Sequence, residues 1–162
     1  MPSASSLRRL TRLRLPEALL LGEALVVLAG ASAAIRVLPF SRVTHLASTR
    51  GRPSPPGAVE PESPEAARVV RAVQAWSRRV PWKTVCFQIG LAALLMLRRR
   101  GLATILHYGV GRGGEEEDLA AHVWVTLGEK VLVGEFESAQ FARVASFPPD
   151  DAPRSPPAPV NL

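Results

Sequence analysis

The sequence predicts an α+β domain in which helices pack on one side of a small antiparallel sheet, with a cysteine at the N-terminus of one helix. Two observations favour this class. Apolar residues recur at helical spacing before Gly101, whereas they alternate with other residues along the segments that follow it. The resulting order of helix, helix, strand, strand, strand is typical of folds that segregate helices from an antiparallel sheet.

The first apolar segment follows a basic arm over residues 1–16. The uninterrupted run Ala24–Ile35 is only 12 residues long, whereas a spanning helix needs about 20. Glu17 and Glu23 interrupt the apolar stretch before it. We therefore predict a buried or partner-facing helix. Because arginines precede the apolar run, an interfacial membrane anchor is the less favoured alternative.

A second helix is predicted after a loop over residues 48–64, which is rich in Ser, Pro, Gly and Glu. Ser63 is a suitable N-cap, and Pro64 and Glu65 suit the first turn. Residues 17–80 then form a helical N-terminal region. The helix is predicted from about Pro64 to Arg79. The apolar residues that recur at helical spacing are Val69, Val73, Trp76 and Val80.

The next helix begins a core that we place over residues 81–147. Pro81 separates it from the preceding helix, Thr84 is the predicted cap, and Gly101 supplies a left-handed stop. Arg98–Arg100 occupy the last turn, where the helix dipole favours cations. The apolar stripe consists of Phe87, Leu91, Leu94 and Leu95.

Three strands are predicted after this helix. They cover residues 102–110, 121–127 and 130–133, and Gly128-Glu129 turns the last two into a hairpin. His122, Trp124 and Thr126 should share one face of the middle strand. Residues 148–162, rich in proline and acid, are predicted to be a disordered tail.

The charge of the chain raises the question of a polyanionic partner. The net charge is +6, but the arginines form short separate groups that do not alternate with aromatic residues, so we expect no nucleic-acid partner. The single cysteine excludes an intrachain disulfide, which fits a cytoplasmic setting.

That cysteine, Cys86, is the strongest candidate for chemistry. It lies two residues after the predicted cap, where backbone N–H groups and the helix dipole stabilise a thiolate. His122 lies on a rigid strand that a helix packed across the sheet could bring close to the thiol. The alternative is a small core cysteine. His107 is expected to be a structural or solvent-edge residue. Trp124 could cover the imidazole or the substrate channel, although a core position is the more ordinary role of a tryptophan.

Six segments follow one another in a specific order: Ile35–Phe40, Ala66–Val80, Val80–Cys86, the helix up to Gly101, Ala103–Val110 and Ala121–Val125. Together they resemble the lasso-peptide leader peptidases, which belong to the transglutaminase-like superfamily. The resemblance extends over roughly Leu19 to Phe147.

The resemblance implies a transglutaminase/papain-like core with a Cys-His-acid triad. Cys86 would be the nucleophile and His122 the base. Glu135 is the candidate third member, because family members commonly carry an acid just after the strand that follows the histidine strand. An exposed glutamate at a turn is the alternative, and a backbone carbonyl can also orient a histidine.

No cofactor is evident in the sequence. Gly109–Gly114 satisfies a dinucleotide-binding pattern, but the acidic run Glu115–Asp118 and a strand follow it instead of a helix. We therefore expect a flexible loop there. No Walker A motif or metal-ligand cluster is present, so ATP dependence is implied by the resemblance alone.

The leading hypothesis is a stand-alone, cytoplasmic cysteine peptidase that removes the leader from a lasso-peptide precursor. The resemblance implies a separate winged-helix protein that recognises the leader and a cyclase that closes the ring. The alternatives are a non-catalytic scaffold of the same maturation complex and a basic membrane-surface protein, although we expect membrane association to be the weaker reading.

Overall fold

A computed structural model describes residues 15–49, 63–113, 118–134 and 141–149 of the chain. The predicted basic arm before residue 15, most of the predicted loop and the predicted tail after residue 149 lie outside the described residues. The helices are α1 (Leu15–Val37), α2 (Phe40–Thr49), α3 (Pro64–Ser77) and α4 (Cys86–Arg99); the strands are β1 (Thr104–Gly113), β2 (Asp118–Leu127), β3 (Lys130–Val133) and β4 (Ala142–Phe147).

Helix α3 begins as its sequence predicts. The Ser63 hydroxyl accepts a hydrogen bond from the Ala66 N–H at 3.3 Å, and Pro64 occupies the first helical position. The helix ends at Ser77, slightly before the predicted end, because the N–H groups of Arg79 and Val80 both turn back to the Trp76 carbonyl. Pro81 lies in the connection, and because it has no N–H it cannot continue the helix by bonding to the Ser77 carbonyl.

The start of α4 differs from the prediction, since Val85 and not Thr84 is the N-cap. The Thr84 hydroxyl donates to the Ser77 carbonyl at 3.1 Å, which ties the connection to the end of α3. The Gln88 side chain accepts from the Val85 N–H at 3.2 Å and so satisfies the donor that precedes the helix.

The C-terminus of α4 confirms the predicted glycine stop. Gly101 has a φ of +77°. The N–H groups of Gly101 and Leu102 bond back to the carbonyls of Arg98 and Leu97 at 2.9 and 3.1 Å. This pattern closes the helix and directs the chain into β1.

The four strands form one antiparallel sheet in the order β3-β2-β1-β4. The β2–β3 hairpin is confirmed, with Gly128 at a φ of +58° in its turn. Strand β4 was missed, because its intermediate burial gives little alternation in the sequence. The loop predicted over Gly109–Gly114 is wrong up to Gly113, since β1 continues that far and pairs with β2.

The helices cover one face of the sheet, as the α+β prediction requires. Helix α4 contacts α1, α3, β1 and β2. It meets the sheet at Gly90, where a Cβ atom would lie 2.9 Å from the Val123 side chain and 3.6 Å from that of Leu106. A single hydrophobic cluster extends from α1 through α3 and α4 to β3, so the N-terminal helices and the sheet share one core.

Helix α1 is fastened to this core by specific polar contacts as well as apolar ones. The indole N–H groups of Trp76 and Trp82 donate to the Leu21 carbonyl at 2.8 Å and to the Ser32 hydroxyl at 3.2 Å. Glu23 forms an ion pair with Arg100. By length and composition alone, α1 is also apolar enough to cross a membrane.

Arg98 connects three parts of the fold through backbone carbonyls. Its guanidinium donates to the carbonyls of Ala47 at the end of α2, Thr104 at the start of β1 (3.0 Å) and Phe147 at the end of β4 (2.9 Å). Burial lowers the pKa of Arg98 to about 10, so the group stays charged at neutral pH. Arg98 thus does more than complement the helix dipole, which was its predicted role.

Replacing Arg98 with lysine should destabilise the protein by about 2 to 3 kcal/mol, because a single ammonium cannot reach three carbonyls in the guanidinium's fork geometry. Urea denaturation measures this difference. Arg99→Lys is the matched control, since the Arg99 side chain is largely exposed. Equal stability of the two variants would contradict the role given to Arg98.

The Glu23–Arg100 pair should make stability depend on pH. The pKa of Glu23 is held below its ordinary value, chiefly by the hydrogen bond from Arg100. The pair therefore stabilises the folded state above the ordinary pKa of about 4.3, and this contribution is lost as the pH falls through the lower, folded-state pKa.

We expect Glu23→Gln to cost about 1 kcal/mol at pH 7 and progressively less below about pH 4. Thermal or urea unfolding from pH 7 to pH 3 measures the difference from wild type. Glu17→Gln, at the exposed start of the same helix, is the control. A Glu23→Gln difference that does not change with pH would be inconsistent with the ion pair as its source.

Candidate active site

Cys86 is the first residue of α4, as the predicted nucleophile position requires. The carbonyl of Val85 accepts from the N–H groups of Gln88 and Ile89 at 3.0 and 3.3 Å, so the first turn is well formed. The thiol is half-buried, is not in a disulfide and packs against the hydrophobic core. Cys86 therefore lies at the helix end where backbone N–H groups carry partial positive charge.

The contact between α4 and β2 determines where this helix end lies. Gly90, one turn after Cys86, meets β2 at Val123, the residue that follows His122. Cys86 therefore lies one helical turn from the Gly90–Val123 contact, and His122 lies one strand residue from it. The two predicted site residues lie on elements that pack directly against each other.

His122 is buried on β2 and has a defined orientation. It is 5% exposed, and its Nε2 lies 3.3 Å from the carbonyl oxygen of Gly134, just beyond β3. Because a carbonyl can only accept, Nε2 carries the hydrogen in the neutral ring, and Nδ1 then carries the lone pair. The ring of Phe141 lies 5.2 Å away, centroid to centroid.

The sheet register separates the imidazole from the body of α4. Val123 points towards Gly90, whereas its neighbour His122 alternates to the other face of β2 with Trp124. On that face His122 contacts the Gly134 carbonyl and the Phe141 ring. Only the first turn of α4 could therefore bring Cys86 towards the imidazole, and the pairing of these two residues stays a prediction.

Gly134 fits closely against the imidazole. Its φ is +81°, and a Cβ atom at this position would lie 2.8 Å from His122 Nε2 and 2.8 Å from the Val123 carbonyl. A side chain here would therefore collide with the histidine as well as strain the backbone. The sequence predicted that Glu135, after this strand, orients the imidazole. The described residue that contacts the imidazole there is Gly134.

The predicted third member of the triad, Glu135, lies outside the described residues. Its role stays a prediction. The carbonyl of the preceding residue, Gly134, accepts the hydrogen bond from His122 Nε2. This is the hydrogen bond that an orienting carboxylate would otherwise accept.

A row of three stacked rings lies on the imidazole face of the sheet. The Trp124 ring stacks between His122 and His107, at centroid distances of 6.3 and 5.4 Å. Gly109, opposite His122 in β1, leaves room for it, since a Cβ there would lie 2.7 Å from the Trp124 ring. Trp124 therefore packs beside the imidazole, where the sequence could place it only on the same face.

His107 has the structural role expected from the sequence. Its two ring nitrogens lie 3.0 Å from the Ser146 hydroxyl and 2.9 Å from the Thr126 hydroxyl. These bonds connect β1 to β4 and to β2. His107 is thus a buried residue that joins three strands.

Phe87, the residue after Cys86, belongs to a cluster of three aromatic rings, and sequence reasoning missed the other two members. The ring of Phe40, at the start of α2, lies 5.8 Å from that of Phe87 and 6.3 Å from that of Tyr108. Phe40 is 58% exposed, and Val85 is also exposed. No local pattern indicates this cluster, because its members come from α2, α4 and β1.

The described part of the chain contains no group of three or more His, Cys, Asp or Glu residues that could hold a metal ion.

Gly134→Ala should destabilise the protein by about 3 kcal/mol, because the new methyl group combines a left-handed backbone, at about 1 to 2 kcal/mol, with two close contacts. Gly128→Ala is the matched control: Gly128 also has a positive φ but has open space around its Cβ position. Urea denaturation compares their stabilities, and the His122 imidazole resonances in NMR spectra should shift only in Gly134→Ala. Equal stabilities and equal His122 resonances in the two variants would contradict the close contact between residue 134 and the imidazole.

Comparison with known families gives one match. A family model described as the transglutaminase-like superfamily matches residues 26–146, well over half of the 162 residues. No curated protein and no solved structure matches the chain. The matched range runs from within α1 into β4, so it includes Cys86, His122 and all of the described sheet except Phe147.

Proposed function

The chain belongs to the transglutaminase-like superfamily, and on that basis we propose that it is a cysteine peptidase that removes the leader from a lasso-peptide precursor. This superfamily commonly carries cysteine peptidase activity. The lasso-peptide substrate is supported by the resemblance of the segments around Cys86 and His122 to the leader peptidases.

The observation that carries the proposal is the hydrogen bond between His122 Nε2 and the Gly134 carbonyl, 3.3 Å long. It fixes the ring and puts the hydrogen on Nε2, which suits Nδ1 for the role of base. A carbonyl can also stabilise the imidazolium that forms when Nδ1 takes a proton, because Nε2–H then becomes a stronger donor.

In the proposed reaction, Nδ1 of His122 removes the proton of the Cys86 thiol, and the thiolate attacks the scissile carbonyl carbon of the precursor. The tetrahedral intermediate collapses as the C–N bond breaks, and His122 returns the proton to the departing amine. Water, activated by the same imidazole, then hydrolyses the thioester and releases the leader's new carboxylate.

The surroundings of Cys86 support a peptide substrate. Phe87, next to Cys86 in the chain, packs in one cluster with Tyr108 and with the exposed Phe40, and this cluster could hold an apolar side chain of the precursor. We propose that a separate winged-helix protein captures the leader and that a cyclase takes the product, both in the cytoplasm. Hydrolysis by a thiol and an imidazole needs neither a metal nor a nucleotide, so an ATP requirement would belong to the assembled complex.

A second candidate is a non-catalytic scaffold of the same complex. The observation that favours it is the position of His122, which leaves β2 on the face opposite the body of α4. In this case Cys86 would be an ordinary core thiol and the aromatic cluster a docking surface.

The test is leader release from the precursor in the presence of the recognition protein, followed by mass spectrometry with and without ATP. We expect Cys86→Ala to abolish release and His122→Ala to reduce it by about a hundred- to ten-thousandfold, the range that general acid–base catalysis contributes. Glu135→Gln should have an intermediate effect if this residue assists the Gly134 carbonyl.

Cys86→Ser and His107→Gln separate the roles further. The serine variant keeps the helix end but lacks the nucleophilic thiol, so it should be inactive, whereas His107→Gln should lose stability with a smaller loss of activity. Full release by Cys86→Ala would end the peptidase proposal. Inactive wild type whose thiol reacts with iodoacetamide only slowly, at any pH, would support the scaffold instead.

A further inference from the structure

The outer side of α1 is apolar along its whole length. Its four large residues are strongly exposed: Leu15 (75%), Leu19 (65%), Val26 (71%) and Val37 (79%). The residues between them on the same side are also exposed and uncharged, namely Gly22, Gly30 and Ala33. We call these seven residues the outer stripe of α1.

The spacing of the outer stripe makes it continuous. Its members follow one another by three or four residues, so they lie on one side of the helix over about 33 Å. Helices on the surface of soluble proteins show polar residues on this side. A continuous apolar surface of this kind indicates an interaction site.

The opposite side of α1 is fixed in the core, which decides how the helix can meet its partner. Ala24, Leu28 and Ala31 are buried there. Glu23 is paired with Arg100, and the Trp76 indole bonds to the helix backbone. Insertion of α1 across a bilayer would break all of these contacts, whereas a helix lying parallel to a surface keeps them.

The charges at the ends of α1 favour an anionic surface. Four arginines precede the helix in the sequence, between residues 8 and 14. Arg36 in its last turn and Arg42 in α2 are exposed. An apolar stripe with cations at both ends is the pattern of helices that lie in the interface of acidic membranes.

We propose that the outer stripe of α1 lies flat on an anionic lipid surface, with Arg36 and Arg42 among the headgroups and the rest of the domain in the aqueous phase. Sequence reasoning favoured a buried helix, since it could not show which side of α1 the core uses. The proposal rests on α1 and the arginines near its ends, and it is independent of the proposed peptidase activity.

The test is flotation of the full chain with vesicles of phosphatidylcholine, with or without phosphatidylglycerol. We expect binding to vesicles that contain phosphatidylglycerol, weakened by added salt. Val26→Glu and Leu19→Glu should each reduce this binding at least about tenfold, because a carboxylate replaces an apolar side chain in the interface. Both residues are exposed, and circular dichroism checks that the variants fold.

Val144→Glu is the matched control, because Val144 is an exposed valine on β4 and the charge change is the same. It should float like wild type. The proposal is overturned if wild type does not float with the anionic vesicles, if it binds neutral vesicles equally well, or if Val26→Glu floats unchanged. It is also overturned if sedimentation without vesicles shows a wild-type dimer that Val26→Glu dissociates, since the stripe would then bind a second copy.

Discussion

The close approach of α4 to β2 at Gly90 is the constraint on which the site depends. A residue with a side chain would push against Val123 and Leu106, so this glycine allows the helix to lie directly on the sheet. Cys86 begins the same helix one turn earlier, and His122 precedes Val123 on the strand. In the proposed peptidase, this one contact in the core sets how far the Cys86 thiol lies from the His122 imidazole.

The imidazole side depends on two other glycines. Gly109 leaves space for the Trp124 ring, and Gly134 brings a carbonyl to His122 Nε2 without a side chain in the way. Both positions lack a Cβ for packing reasons, and only Gly134 also needs a positive φ. The buried histidine is thus oriented by backbone and ring packing, which are rigid, and this rigidity is what a general base requires.

Helix α1 serves the fold with one side and leaves the other side unused. Its inner side contributes to the common core and carries the Glu23–Arg100 pair, while Arg98 and Arg100 at the end of α4 connect the helices to each other and to the sheet. A membrane bound at the outer stripe would cover the exposed side of α1 and leave these contacts unchanged. The peptidase and membrane proposals therefore concern different surfaces of one domain.

The sequence by itself determined the local structure: the Ser63 cap, the Gly101 stop, the hairpin at Gly128 and the face shared by His122 and Trp124 all follow from short-range rules. It also indicated the superfamily. Only the tertiary structure decided that Thr84 bonds to α3, that β1 continues through its glycines, and that β4 completes the sheet. It alone brought Gly134 to the imidazole and left the outer stripe exposed, because these contacts join residues far apart in the chain, and periodicity reports which side of an element is apolar but not what covers it.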